Sequence, residues 1–174
     1  MFKKIALGVI TLLIVAGGTL FFIKGKDNYD ASKYSASVSN GLNTGSTINF
    51  TLPDQFDKSH SINNDTKILI LSFAKASGHM VKEFLQTQDK NYLSNKNAYF
   101  IADISPMPTV IRNTFALPDL KKSSYPVLLI YDGSISAQIK NADKADKVAV
   151  VTLDNGTIKA VEYLSSKDEL KAAL

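Results

Sequence analysis

Ser77-Gly78-His79-Met80 places a hydroxyl, a flexible backbone position and an imidazole within four residues. A serine nucleophile needs a base within hydrogen-bond reach and a third group to orient that base. Residues two apart at a helix start do not face each other, and no third group stands nearby, so hydrolase chemistry is not expected. The segment does offer a turn, because Gly78 permits a tight bend and a close backbone approach. A helix starting there would present free N–H groups and its positive dipole end to a small anion. The plainer alternative is a solvated helix cap.

His60 and His79 are the only histidines, with Asp54, Asp57 and Asp103 as potential company. A metal site needs three or four converging ligands. The spacing contains no HxH or HxxxH pattern, so no metal and no cofactor is expected. Asp103 closes an apolar run. It either holds a position on the sheet rim, where open α/β sheets bind ligands, or caps a helix beginning near Pro106. Arg112, the only arginine, pairs with an acid or with a partner. The largest absence is sulfur: the chain has no cysteine. Without a thiolate there is no nucleophile for disulfide exchange or peroxide reduction. A thiol-disulfide oxidoreductase and a cysteine peroxidase are therefore excluded for the lone chain.

The 174 residues leave room for one domain after an apolar start. The net charge of +4 comes almost wholly from lysines interspersed with acids. Nucleic-acid surfaces cluster Lys and Arg on one face, so no nucleic-acid partner is expected.

Residues 5–23, IALGVITLLIVAGGTLFFI, carry no charge and lie between Lys3-Lys4 and Lys24-Gly25-Lys26. At about 1.5 Å per residue the run just crosses a hydrocarbon layer of about 30 Å. A cleaved signal would have a shorter apolar stretch and an Ala-x-Ala-like site, and none follows Ile23 closely. Residues 1–27 are therefore expected to form a retained signal anchor with one transmembrane helix. Lysines on both sides leave the positive-inside rule near a draw. The Lys-rich start favours the amino terminus inside and the domain outside, in the periplasm of a bacterial inner membrane. Residues 28–44, rich in Ser, Asn and Ala, read as a flexible linker.

Residues 45–174 must position whatever site exists. Ile48–Leu52 alternates apolar and polar residues, predicting a half-buried strand ended by Pro53-Asp54. Ile68–Ala74 is an apolar run suited to a central strand of a mainly parallel sheet. Ser77-Gly78 is expected to break it. Helical spacing then follows over Met80–Leu93, with Val81, Phe84, Leu85 and Tyr92 on one face. Ala98–Asp103 is a second strand. A helix is expected to open at Pro106 or Pro108, to pack through Val110, Ile111, Thr114 and Phe115, and to stop at Pro118. Val127–Tyr131 is a third strand between Pro126 and Asp132-Gly133. Asn155-Gly156 between two β-rich runs marks a hairpin. Ser166 and Glu169 form a capping box before the closing helix. Tyr99, Phe100, Phe115, Tyr125 and Tyr131 fall in these patterns and read as core. The expected fold is an α/β three-layer sandwich with a mixed sheet and a C-terminal hairpin.

Three stretches carry a family resemblance. GSTINFTLPDQFDKSHSI, residues 45–62, resembles the start of the peroxiredoxin and thiol-reductase branch of the thioredoxin superfamily. Gly45, Phe50, Leu52, Asp54 and Lys58 stand at matching places, and Asp57 stands where glycine is frequent. KILILSFAKASGHM resembles the central strand and active-site turn, and SYPVLLIYDGS the later strand that opens with a cis-proline. The resemblance implies a thioredoxin-like fold, a cis Tyr125–Pro126 bond facing Gly78, and a membrane-tethered extracytoplasmic setting. The two redox-cysteine places fall on Ser77 and Met80, or on Gly78 and Val81, so it implies no redox activity. The expectation is a non-catalytic module for protein or peptide binding, or for envelope assembly. Its surface would comprise Ser77, Gly78, His79, Met80, Tyr125 and Pro126, with strand pairing at the backbone of Tyr125. The alternative is a non-thiol enzyme or small-anion binder at the Ser77–Met80 turn.

Overall fold

The computed structural model describes residues 19, 24–27 and 29–174. Residues 5–23, apart from residue 19, lie outside the described residues, and so does the membrane-spanning expectation. Among the described residues no helix is long and apolar enough to cross a membrane.

The apolar runs pair as a five-stranded mixed sheet of order β6-β5-β4-β7-β8. Its strands are β4 (Ile68–Ser72), β5 (Ala98–Asp103), β6 (Val127–Ile130), β7 (Val148–Asp154) and β8 (Thr157–Leu164). β4, β5 and β6 run parallel, β7 adds antiparallel to β4, and β8 pairs antiparallel with β7. β4 is central, as its unbroken hydrophobicity requires. A smaller antiparallel sheet packs β1 (Ser35–Val38), β2 (Ile48–Pro53) and β3 (Ser59–Ser61) in that order.

Alternation along the strands divides the core in two. Ile70, Phe100, Leu129 and Val150 face a cluster with Val81 and Phe84 of α1 (Lys75–Leu85), Leu93 of α2 (Tyr92–Asn95) and Leu170 of α6 (Lys167–Ala173). Leu69, Leu71, Leu128 and Val151 face Phe50 and Leu52 of β2 and Ile135 and Ile139 of α5 (Gly133–Ile139). Each fully buried Leu, Ile or Val contributes about 1.5–3 kcal/mol. Both layers thus depend on the sheet between them.

Several expectations change. The linker is not a free tether throughout, because Ser35–Val38 pairs residue by residue with β2. α1 begins at Lys75, so Ser77 and Gly78 lie inside the helix and the break falls at Ala74, which is extended (φ −136, ψ 154). A helix expected to end at Pro118 continues. α3 (Thr109–Ile111), capped by Pro108, passes through a π-helical stretch (Arg112–Ala116) into α4 (Leu117–Leu120). Leu117 N–H donates to Arg112 O, five residues back. This resets the ladder, so Pro118 sits in a new first turn where its missing donor is tolerated. α5 was not expected. Asp132 caps it by accepting from Ser134 N–H at 2.8 Å.

The turn chemistry agrees with the sequence. Asn155 (φ 48) and Gly156 (φ 74) adopt the left-handed pair that a two-residue hairpin demands. Asp57, at the place where glycine is frequent, has φ 63 and takes the conformation glycine adopts most easily. Ser166 Oγ accepts from Glu169 N–H at 3.2 Å, and Glu169 accepts from Ser165 N–H at 2.6 Å.

Candidate functional site

α1 starts where β4 leaves the sheet, and its first turn uses its own polar groups. Ser77 Oγ is buried and donates to Ala74 O at 3.0 Å. It is neither a free nucleophile nor an open cap. Gly78 stands over β4 so closely that a Cβ there would lie 3.3 Å from Ser72 Oγ. His79 is exposed and meets Glu83 Oε1 at 3.0 Å. Glu83 also receives Lys167 of α6 at 2.9 Å, and Lys167 followed by His79 holds its carboxyl below the usual range. Met80 packs against the core.

A groove of 590 Å³ opens between α1 and the α3–α4 segment. Phe100, Ala102 and Val127 of the sheet, Gly78, His79 and Lys82 of α1, and Ile111, Phe115 and Leu120 of α3–α4 line it. Lys82 forms a direct ion pair with Asp119 from wall to wall. That hydrogen bond lowers the Asp119 carboxyl. Ile111 and Phe115, expected to pack inward, are 46% and 64% exposed. Arg112 is buried in their place. The tyrosine of Tyr125 also lines this groove and is only 6% exposed, and its hydroxyl makes no hydrogen bond of ordinary geometry. Burial raises its phenol, with Ser123 pulling the other way.

Pro126 does not join this site. Among the described residues no peptide bond is cis, so Tyr125–Pro126 is trans, against expectation. β6 runs parallel to β4, so Pro126 precedes one end of the sheet while Gly78 follows the other. Pro126 instead lines a separate 280 Å³ cavity with Asn63, Thr66 and Asn97. The backbone beside it is also closed to strand pairing. Gln55, buried, donates from Nε2 to Tyr125 O at 2.9 Å and accepts from Val127 N–H at 2.8 Å. It occupies the groups that an added strand would use.

The other sequence candidates separate. Asp54 is buried and accepts from Phe56 N–H and Lys58 N–H at 2.8 and 3.0 Å, and meets His60 Nε2 at 2.9 Å. Burial pushes its carboxyl up, and these bonds, His60 first, carry it below the usual value. His60 and His79 lie on different elements. Among the described residues no three His, Asp or Glu groups are placed to share a metal ion. Asp103 does not cap the helix at Thr109. It accepts from Ser105 N–H and Oγ at 3.0 and 2.7 Å, and from Ser136 Oγ of α5 at 2.6 Å.

A second cluster gathers around Arg112, which the sequence reading paired with an acid or a partner without naming which. Arg112 Nη2 donates to Asp27 Oδ2 at 2.7 Å, and its guanidinium lies 4.8 Å from the centre of the Tyr131 ring. Tyr29 stacks on Tyr131 at 4.8 Å and on Tyr34 at 5.6 Å. Burial, with the Asp57 charge adding to it and Arg112 opposing, raises the Tyr131 phenol to about 12. The local signals were the lone arginine and two tyrosines, Tyr29 and Tyr34, five residues apart.

No family model matches the chain, and no curated protein matches it either. Solved structures do. The peroxidoxin BcpB of Mycobacterium tuberculosis is similar at 17% identity and a TM-score of 0.51, over 76% of this chain and 94% of that one. A candidate protein disulfide isomerase from Bacteroides thetaiotaomicron is similar at 18% and 0.53, over 79% and 88%. At such identities the likeness is one of fold alone. The chain has a mixed α/β thioredoxin-like fold and no cysteine.

Proposed function

We propose that this protein is a membrane-tethered, thiol-free binding module whose working surface is the groove between α1 and α3–α4. One observation carries the reading: a 590 Å³ apolar groove whose rim residues Ile111 and Phe115 stand exposed. Leaving a side chain of that size in water forgoes about 1.5–3 kcal/mol that burial would return. A partner that covers both recovers that energy. Recognition is by side-chain burial, because Gln55 already occupies the backbone groups beside Pro126. Gly78, His79 and Tyr125 belong to this surface, whereas Ser77, Met80 and Pro126 do not. The attachment is the apolar run 5–23, with the domain outside the cytoplasm. An enzyme acting on an anion at Ser77–Met80 has less support, since those residues lie within a helix and the Ser77 hydroxyl is engaged.

The test places a photoreactive benzoylphenylalanine at Phe115 of the full chain in intact membranes, with the exposed Phe56 as control. A discrete adduct from position 115 and none from 56 is expected. Equal labelling from both positions, or none from 115, rejects the groove as a binding surface.

A further inference from the structure

The occupant of the groove follows from where its rim lies along the chain. The apolar run ends at Ile23, and Lys24 is the first polar residue after it. Asn113 Nδ2 donates to Lys24 O at 2.8 Å and to Lys26 O at 2.9 Å. Arg112 holds Asp27, and Tyr131 stacks on Tyr29. The segment just beyond the run is therefore fastened to the α3–α4 segment. Ile111 and Phe115 flank Asn113 by two residues each, within about one turn, or roughly 5.4 Å along a helix. The headgroup layer on each side of a bilayer is about 5–7 Å thick. With residues 5–23 across the membrane, the apolar rim sits at headgroup depth and the groove opens there.

Two further features select the ligand. Lys24, Lys26 and Lys121 line a cavity on the flank of the same segment and complement lipid phosphate. The groove lining is mostly apolar, and among its polar groups, which include Ser72, Lys82, Asp103, Asp119 and Ser123, the buried Tyr125 hydroxyl makes no hydrogen bond of ordinary geometry. A buried hydroxyl without a partner is costly, and a ligand oxygen would satisfy it. The volume of 590 Å³ falls within the range of about 300–1,000 Å³ that small-molecule sites occupy.

We infer that the groove takes an acyl-ester lipid from the membrane that anchors the chain. Its hydrocarbon chain lies against Phe100, Met107, Phe115 and Leu120, and an ester carbonyl accepts from Tyr125 Oη. This rests on the groove reading above and names its occupant. The probe is phosphatidylglycerol carrying a mid-chain diazirine, in vesicles holding the full-length chain, with adducts mapped by peptide mass spectrometry. Adducts at Met107, Leu120 and their groove neighbours are expected. Tyr125→Phe should reduce them about fivefold, the worth of one hydrogen bond. The same change should leave the unfolding midpoint unchanged or raised, because the hydroxyl makes no hydrogen bond of ordinary geometry to the protein. Adducts confined to residues 1–23 overturn the lipid assignment, and groove adducts indifferent to Tyr125→Phe overturn the ester contact. The two readings fail separately. Capture of a polypeptide from position 115 keeps the groove and removes the lipid, whereas capture of nothing removes both.

Discussion

Gln55 links two parts of the fold that are 70 residues apart in sequence. It is buried, and its amide brackets Pro126 as a neighbouring strand would, along the outer edge of the edge strand β6. Gln55→Ala leaves the Tyr125 carbonyl and the Val127 N–H without partners. Each buried orphan costs about 1–3 kcal/mol. Water can reach part of a vacated sheet edge, so the expected loss is about 2–4 kcal/mol. That is a large share of a typical 5–15 kcal/mol total. The assay is urea unfolding of the full chain in mild detergent, followed by far-UV circular dichroism, with hydrogen exchange read at Val127. Gln55→Glu adds a sign. The introduced carboxyl can donate to Tyr125 O only when protonated, and burial disfavours its charge, so its folded pKa lies above the unfolded value of about 4.3. The folded state then binds more protons, and stability falls as pH rises from about 4 through that folded value. A Gln55→Ala cost under about 0.5 kcal/mol, below the range expected for a buried orphan, would refute the bridging role. A Gln55→Glu stability that stays flat or rises with pH would refute it equally.

Three other outcomes are expected. Asp27→Ala strands the buried Arg112 guanidinium, so the domain should lose about 1–3 kcal/mol and residues 24–34 should be cut faster by trypsin; Arg112→Met on that background should restore part of the stability. Asp54 is held below its ordinary pKa of 3.8, so its contribution is present above that pH and lost as pH falls through the folded value; Asp54→Asn should flatten this acid limb of the denaturation midpoint. The purified chain should reduce insulin and consume peroxide no faster than buffer, since it holds no thiolate, and turnover above buffer would show that the absence of cysteine does not decide the matter.

Much of the fold was legible because its signals are local. The apolar run of β4, the Asn155-Gly156 hairpin and the Ser166 cap each act over a few residues. α5 was missed because Gly133-Ser134-Ile135-Ser136 are weak helix formers, and its cap at Asp132 and its Ile135–Ile139 spacing cover only two turns. Ile111 and Phe115 were correctly placed on one helical face. Periodicity says which residues share a face, and it does not say whether another element covers that face. Pro126 was placed at the wrong end of the sheet because a strand motif does not carry its direction relative to β4.

The sequence by itself determined the absence of cysteine, the thioredoxin-like order of elements and the uncharged run at residues 5–23, since these depend on composition and near neighbours. Only the tertiary structure decided that Arg112 is buried against Asp27, that Gln55 closes the edge at Tyr125, and that Ile111 and Phe115 border an open groove. Each of these joins segments tens of residues apart, and such contacts exist only once the sheet has fixed where the chain ends meet.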